Sequence, residues 1–161
     1  MVANEQFVKL MNHPVKFRLF LLSKLPSAYF SGLKIKSMTP DQCTVTIPYK
    51  WFSQNPFRST YFACLAMAGE MSTGSLAMAY VYKHRPSISM LVVKLEANYF
   101  KKADGLTAFT CIDGPRFRTE IQRAVDSGDP VSFTAKSTGV NQKGELVAEF
   151  FITWSFKRKS T

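Results

Sequence analysis

The chain has 161 residues, enough for one domain with one core, and its 46% hydrophobic and 20% charged content excludes a disordered polypeptide. A net charge of +10 brings nucleic acid, a membrane surface or an anionic small molecule into view, yet the basic residues are scattered. Their densest run is Lys157-Arg158-Lys159 near the C-terminus, and no zinc-finger or RRM-type pattern accompanies it, so nucleic acid is not the expected partner.

Residues 4–25 read as helical, with Phe7, Leu10 and Met11, then Phe17 and Leu21, at helical spacing. Pro14 interrupts them and starts a second segment at its first turn. Lys9, Lys16, Arg18 and Lys24 lie opposite the apolar face, whose expected fate is packing against the domain, with a membrane contact as the alternative. The short Leu19-Phe20-Leu21-Leu22 run has no small-residue cleavage site after it, and no uncharged apolar stretch is long enough to span a bilayer. A cytoplasmic protein without membrane insertion is expected. Two strands follow, over 28–38 and 42–48, where Leu33 and Ile35, then Cys43, Val45 and Ile47, alternate with polar residues around a Pro40-Asp41 turn.

Residues 59–82 lose the alternation and are apolar or small nearly all round, the pattern of a buried helix, with Ser59 or Thr60 as N-cap. A long strand is expected over 87–101, with Leu91, Val93, Leu95, Ala97 and Tyr99 on one face, and another over 105–112. Phe117, Ile121 and Val125 mark a short helix over 116–126. Strands over 130–140 and 145–157 are joined by Asn141-Gln142-Lys143-Gly144, the last carrying Leu146, Ala148, Phe150, Ile152, Trp154 and Phe156 on one face. This order predicts a single α+β domain over 1–161, with an antiparallel sheet wrapped around a long central helix. Cys43, Cys64 and Cys111 are odd in number, far apart and in apolar context, so buried free thiols are expected rather than disulfides or a cysteine metal site.

Glu70 is the one acid within the buried helix. A carboxylate there is expensive unless it pairs with a lysine at a helix edge or does chemistry, and burial would raise its pKa toward that of a general base. Asn55, before Pro56 at the helix entrance, is either a turn residue or an amide that holds water or a substrate carbonyl.

The two stand fifteen residues apart, and that arrangement resembles the hotdog-fold acyl-CoA thioesterases of the phenylacetate-pathway type. There an Asn before the central helix is followed, fifteen positions on, by an Asp or Glu. The element order and the Pro26–Gly32 segment, Pro-Ser-Ala-Tyr-Phe-Ser-Gly, also resemble an uncharacterised branch of hotdog proteins. The family's His-Gly-Gly at the helix start is replaced here by Tyr61-Phe62-Ala63.

The resemblance implies a hydrolase acting on acyl-CoA or acyl-carrier thioesters, with coenzyme A as part of the substrate and neither metal nor separate cofactor. Glu70 would activate water or attack directly across a dimer interface, Asn55 would position water or carbonyl, and backbone N–H groups at Phe62 and Ala63 would bind the thioester oxygen. Ser87 or Ser89 stands where the family has a hydroxyl helper. Arg58, Lys83, Arg85, Lys101 and Lys102, near the expected helix and strand ends, are candidates for the coenzyme A phosphates. A homodimer or a dimer of dimers is implied, and the long apolar final strand is suited to burial in one. The alternative is a hotdog module that binds an acyl ligand without turning it over. A hydratase needs a catalytic histidine, and only His13 and His84 exist.

Overall fold

The computed structural model describes residues 1–159. Asn4 caps α1 (Glu5–Asn12), its side-chain oxygen accepting from the Phe7 N–H at 3.0 Å. His13 ends that helix and caps α2 (Pro14–Lys24), so both segments and their break at Pro14 fall where the sequence places them. The next segment corrects the sequence reading. Residues 26–32 do not open a strand; Pro26–Ser31 form a short helix, α3. Pro26 presets its first turn, and Gly32, at φ 84°, ends it in the left-handed conformation that glycine adopts most easily. Strand alternation starts only after that stop, in β1 (Lys34–Met38).

The sheet has six strands in the order β1-β2-β4-β5-β6-β3, all neighbours antiparallel. The other members are β2 (Cys43–Ile47), β3 (Ile88–Tyr99), β4 (Thr107–Cys111), β5 (Val131–Asn141) and β6 (Leu146–Arg158). Helix α5 (Gly114–Ser127) connects β4 to β5 and buries Phe117 and Ile121, with Val125 half-buried. The β5–β6 turn is held by the Asn141 side-chain oxygen, which accepts from the Lys143 and Glu145 N–H groups, and Gly144 takes φ 78°. Ala148, Phe150, Ile152, Trp154 and Phe156 are buried on one face of β6, but Leu146 does not share it as the sequence reading expects: the register against β5 slips between Gly139 and Val140, so Leu146 pairs with Val140 and is partly exposed while Val147 is buried.

The central helix, α4 (Phe62–Val81), lies across β2, β4, β5 and β6. Small residues let it approach the sheet closely. A Cβ on Gly69 would stand 2.7 Å from the Phe150 ring, and one on Gly74 would stand 3.1 Å from the Trp154 ring. Buried polar side chains pair across this layer: Ser72 Oγ lies 2.7 Å from Ser137 Oγ, and the Trp154 indole N–H donates to Thr73 Oγ1 at 3.0 Å, whereas the buried Thr107 Oγ1 of β4 has no partner among the described residues. Neither Ser59 nor Thr60 is the N-cap. That position is Tyr61, with no side-chain cap, because Ser59 Oγ donates to Asn55 Oδ1 and the Thr60 N–H donates to the Ala103 carbonyl.

Strand β3 also departs from the sequence reading. Its register against β6 slips between Val92 and Lys94, a bulge that reverses the alternation there. Val92 stands opposite Trp154 and Leu95 opposite Ile152, so both face the helix side, whereas Leu91 stands opposite Ser155 on the other side. The single face expected through Leu91, Val93, Leu95, Ala97 and Tyr99 is thus split in two. β3 is also a sheet edge, and Leu91, Val93, Leu95 and Tyr99 are all exposed.

Candidate active site

Glu70 lies on α4 at a place where the N-terminal helices and the edge strand β3 close over the helix. Its carboxylate borders a hollow of about 120 Å³ walled by Phe7, Met11, Phe17, Phe20, Met78 and Met90. Among the described residues it has neither ion pair nor hydrogen bond, and desolvation pushes its pKa above the ordinary 4.5. The lysine pairing considered from sequence does not occur. Gly74, one turn on, leaves the room the carboxylate occupies: a Cβ there would stand 3.0 Å from Oε1. An unpartnered carboxyl in apolar surroundings holds its proton longer than in water, and when ionised is a stronger base.

At the entrance to the helix, Asn55 performs the turn role. Its Oδ1 accepts from the Phe57 N–H at 2.9 Å, from the Ser59 N–H at 3.2 Å and from Ser59 Oγ at 3.2 Å. Its Nδ2 makes no hydrogen bond among the described residues and is the half available to a ligand. The N–H groups of Phe62 and Ala63 likewise donate to nothing there, as befits the first turn of a helix without a side-chain cap. Phe62 is 56% exposed, its ring packed edge-on against Tyr61 at 4.9 Å between centroids, so it leans outward. Asn55, Phe62, Leu65, Tyr99, Lys101 and Lys102 line one hollow of about 400 Å³.

That hollow and the one at Glu70 share no residue. Glu70 follows Phe62 by eight positions, about 12 Å along a helix axis. Within one chain, therefore, the acid and the helix-start N–H groups serve different hollows.

The cationic candidates divide in the same way. Lys101 and Lys102 line the Asn55 hollow, Lys101 paired with Glu145 and Lys102 donating to the Phe57 carbonyl, and Arg58 sits in the same loop at φ 57°. Lys83 and Arg85 follow the far end of α4, about 30 Å of helix away. Ser87 is exposed just before β3, and Ser89 Oγ donates to the Lys157 carbonyl. His13 caps α2, and the His84 ring bonds the Pro86 carbonyl, so neither lines the Glu70 hollow. All three cysteines are free and buried, and burial pushes the Cys43 and Cys111 thiols up to about 12. No cluster of three or more His, Cys, Asp or Glu suited to a metal occurs among the described residues. No described helix is long and apolar enough to cross a membrane.

The apolar wall at Glu70 was not anticipated from sequence. Its signal is the amphipathic face of residues 4–25, which shows that the segment packs but not on what.

The fold is shared with solved structures. A protein of unknown function from Pseudomonas aeruginosa, described as a probable thioesterase, superposes with a TM-score of 0.77 at 18% identity, over 93% of this chain and 99% of that one. A protein of unknown function from Chlorobaculum tepidum gives 0.75 at 15% identity, over 98% of each chain. A thioesterase from Haemophilus influenzae gives 0.66 at 11% identity, over 87% and 88%. These likenesses establish the hotdog fold, an antiparallel sheet around a central helix. No functionally curated protein matches the sequence. The model of one family, the domain of unknown function DUF4442, matches residues 16–156, and the chain belongs to that family.

Proposed function

We propose that the protein is a thioesterase hydrolysing acyl-CoA or acyl-carrier thioesters at a site completed by two copies of the chain. The observation that carries this reading is the lone Glu70 carboxylate, unpartnered at an apolar hollow on the central helix. The thioesterase descriptions of proteins with the same fold support it.

Glu70 takes a proton from a water as that water adds to the thioester carbonyl. Oxygen charge develops at the free N–H groups of Phe62 and Ala63 at the start of the partner's α4, and the Asn55 amide donates to the water or the carbonyl. Collapse breaks the C–S bond, the thiolate leaves and takes up the proton, and the acid is released. Each oxyanion donor contributes about 3–4 kcal/mol to barrier lowering, and general-base help is worth a factor of about a hundred or more. The separation of Glu70 from the helix start along one α4 is the reason two copies are needed. The open β3 edge with exposed Leu91, Val93, Leu95 and Tyr99 supports pairing of two sheets there. In such a dimer the Lys83–Arg85 end of one chain would join Lys101 and Lys102 of the other around the coenzyme A phosphates.

A second reading, a binding module without turnover, is favoured by one observation: Asn55 Oδ1 is fully engaged in its own loop. Thiol release from acyl-CoAs separates the two. Release that disappears in Glu70→Gln supports the enzyme; tight acyl-CoA binding without release supports the module.

A further inference from the structure

A further concavity lies between α2 and β1, adjoining the Glu70 hollow and separate from the Asn55 one. It holds about 720 Å³, within the range of small-molecule sites. Only Met11 and Phe17 are shared with the Glu70 hollow, and they stand as a partition between the two.

Its walls have two chemistries. One is aliphatic: Val15, Leu19 and Leu22 form an i, i+4, i+7 stripe on α2, and Val15 and Leu19 are each 61% exposed. The opposite side of the same helix buries Phe17 and Leu21, so α2 is apolar on two faces, one more than the core needs. The other wall is cationic: Arg18, Lys34 and Lys50 line the groove, and among the described residues no acidic side chain lines it and none of the three is ion-paired. Arg18 is held in place, its guanidinium carbon 3.7 Å from the Tyr29 ring centre and Nη1 donating to the Tyr29 carbonyl at 3.1 Å. Lys50 crosses Gly32, where a Cβ would stand 2.7 Å from its Nζ. The region is poor in acid beyond the groove too, since from residue 6 to residue 69 the only acidic side chain is Asp41.

We propose that this groove binds a single-chain anionic amphiphile, a monomeric fatty acid, with its carboxylate on Arg18, Lys34 and Lys50 and its tail along Val15, Leu19 and Leu22. Charge complementarity selects this occupant. A second copy of the chain docked symmetrically would bring the same three cations against themselves, and a neutral lipid would leave them unanswered. Nucleic acid would match the charge but not the aliphatic stripe. A planar guanidinium fixed on an aromatic ring suits a carboxylate. The proposal does not depend on catalysis at Glu70.

The test is calorimetric titration with dodecanoate below its micellar concentration, with dodecanol and phosphatidylglycerol vesicles as further arms. The variants are Arg18→Glu/Lys34→Glu, Leu19→Asp and Glu70→Gln; Lys34 and Leu19 are exposed and Arg18 is half-buried, and circular dichroism checks the folding of each variant. The expected result is one dodecanoate per chain, with about tenfold weaker binding of dodecanol, loss of about tenfold or more in each groove variant, and unchanged affinity in Glu70→Gln. Three results would overturn it: no dodecanoate binding, binding lost in Glu70→Gln but kept in the groove variants, or capture by vesicles without binding of the monomer.

Discussion

Gly74 stands one helical turn after Glu70, and its missing side chain makes the space in which the Glu70 carboxylate lies, 3.0 Å from where a Cβ would be. A methyl group there would press on both Oε1 and the Trp154 ring, which is 3.1 Å away. Replacing glycine inside a helix gains up to about 1 kcal/mol, which offsets the crowding. Gly74→Ala is therefore expected to leave global stability within about 1 kcal/mol of wild type while lowering thioester hydrolysis through the displaced carboxylate. Chemical denaturation and a thiol-release assay on one preparation check this.

Glu70→Gln separates chemistry from stability. Thioester hydrolysis should fall by about a hundredfold or more, with KM little changed, because the group acts on the water and not on substrate binding. The stability effect has the opposite sign. A carboxyl whose folded-state pKa is raised stabilises the native state below its unfolded value near 4.5, and that contribution is lost as pH rises through the folded value. Glu70→Gln should thus raise Tm at pH 8 and leave it unchanged at pH 4. Melting curves at the two pH values decide it. The same shift places the acid limb of the wild-type kcat/KM profile above the ordinary glutamate range.

The β3 edge is expected to join a second copy. Changing Val93 and Leu95 to glutamate puts charge on that edge and should convert a dimer into a monomer without hydrolytic activity. Light scattering after size exclusion measures the mass. A wild-type protein already monomeric at micromolar concentration would remove the two-chain site.

The cysteines provide a check on the core. Cys43 and Cys111 are register partners across β2 and β4, both with thiols pushed up to about 12 by burial. They are expected to resist a thiol reagent at pH 8 in the native protein and to react at once in denaturant. Phe150, packed on Gly69, Tyr99 and Phe109, supplies the corresponding packing test. Phe150→Ala should destabilise by about 3–5 kcal/mol.

The sequence carried the central helix because an apolar circumference without alternation has few other meanings, and it carried β2, β5 and β6 because their period of two holds over most of their length; it missed the slip at the β5–β6 hairpin end, where Val147 is buried beside Ala148 and Leu146 leaves the expected face. It failed at α3, where the proline and glycine that bound a six-residue helix look like turn punctuation before a strand. It failed again in β3, because a one-residue bulge is invisible in composition and reverses every side chain beyond it. At the site, Glu70 stood out because a lone acid on a buried helix conflicts with its surroundings. Its apolar wall did not, because Phe7, Met11 and Phe17 are distant in sequence and their pattern shows burial without naming the partner. The turn role of Asn55 was visible in Asn-Pro, while the freedom of its Nδ2 depends on neighbours that only the folded loop supplies.

The most direct test of the account is free-thiol release from short, long and aromatic acyl-CoAs by the wild type and by Glu70→Gln. Release from at least one acyl class by the wild type and about a hundredfold less from the variant is expected, with both proteins folded and dimeric. No release from any member, or equal release by the two proteins, would contradict it.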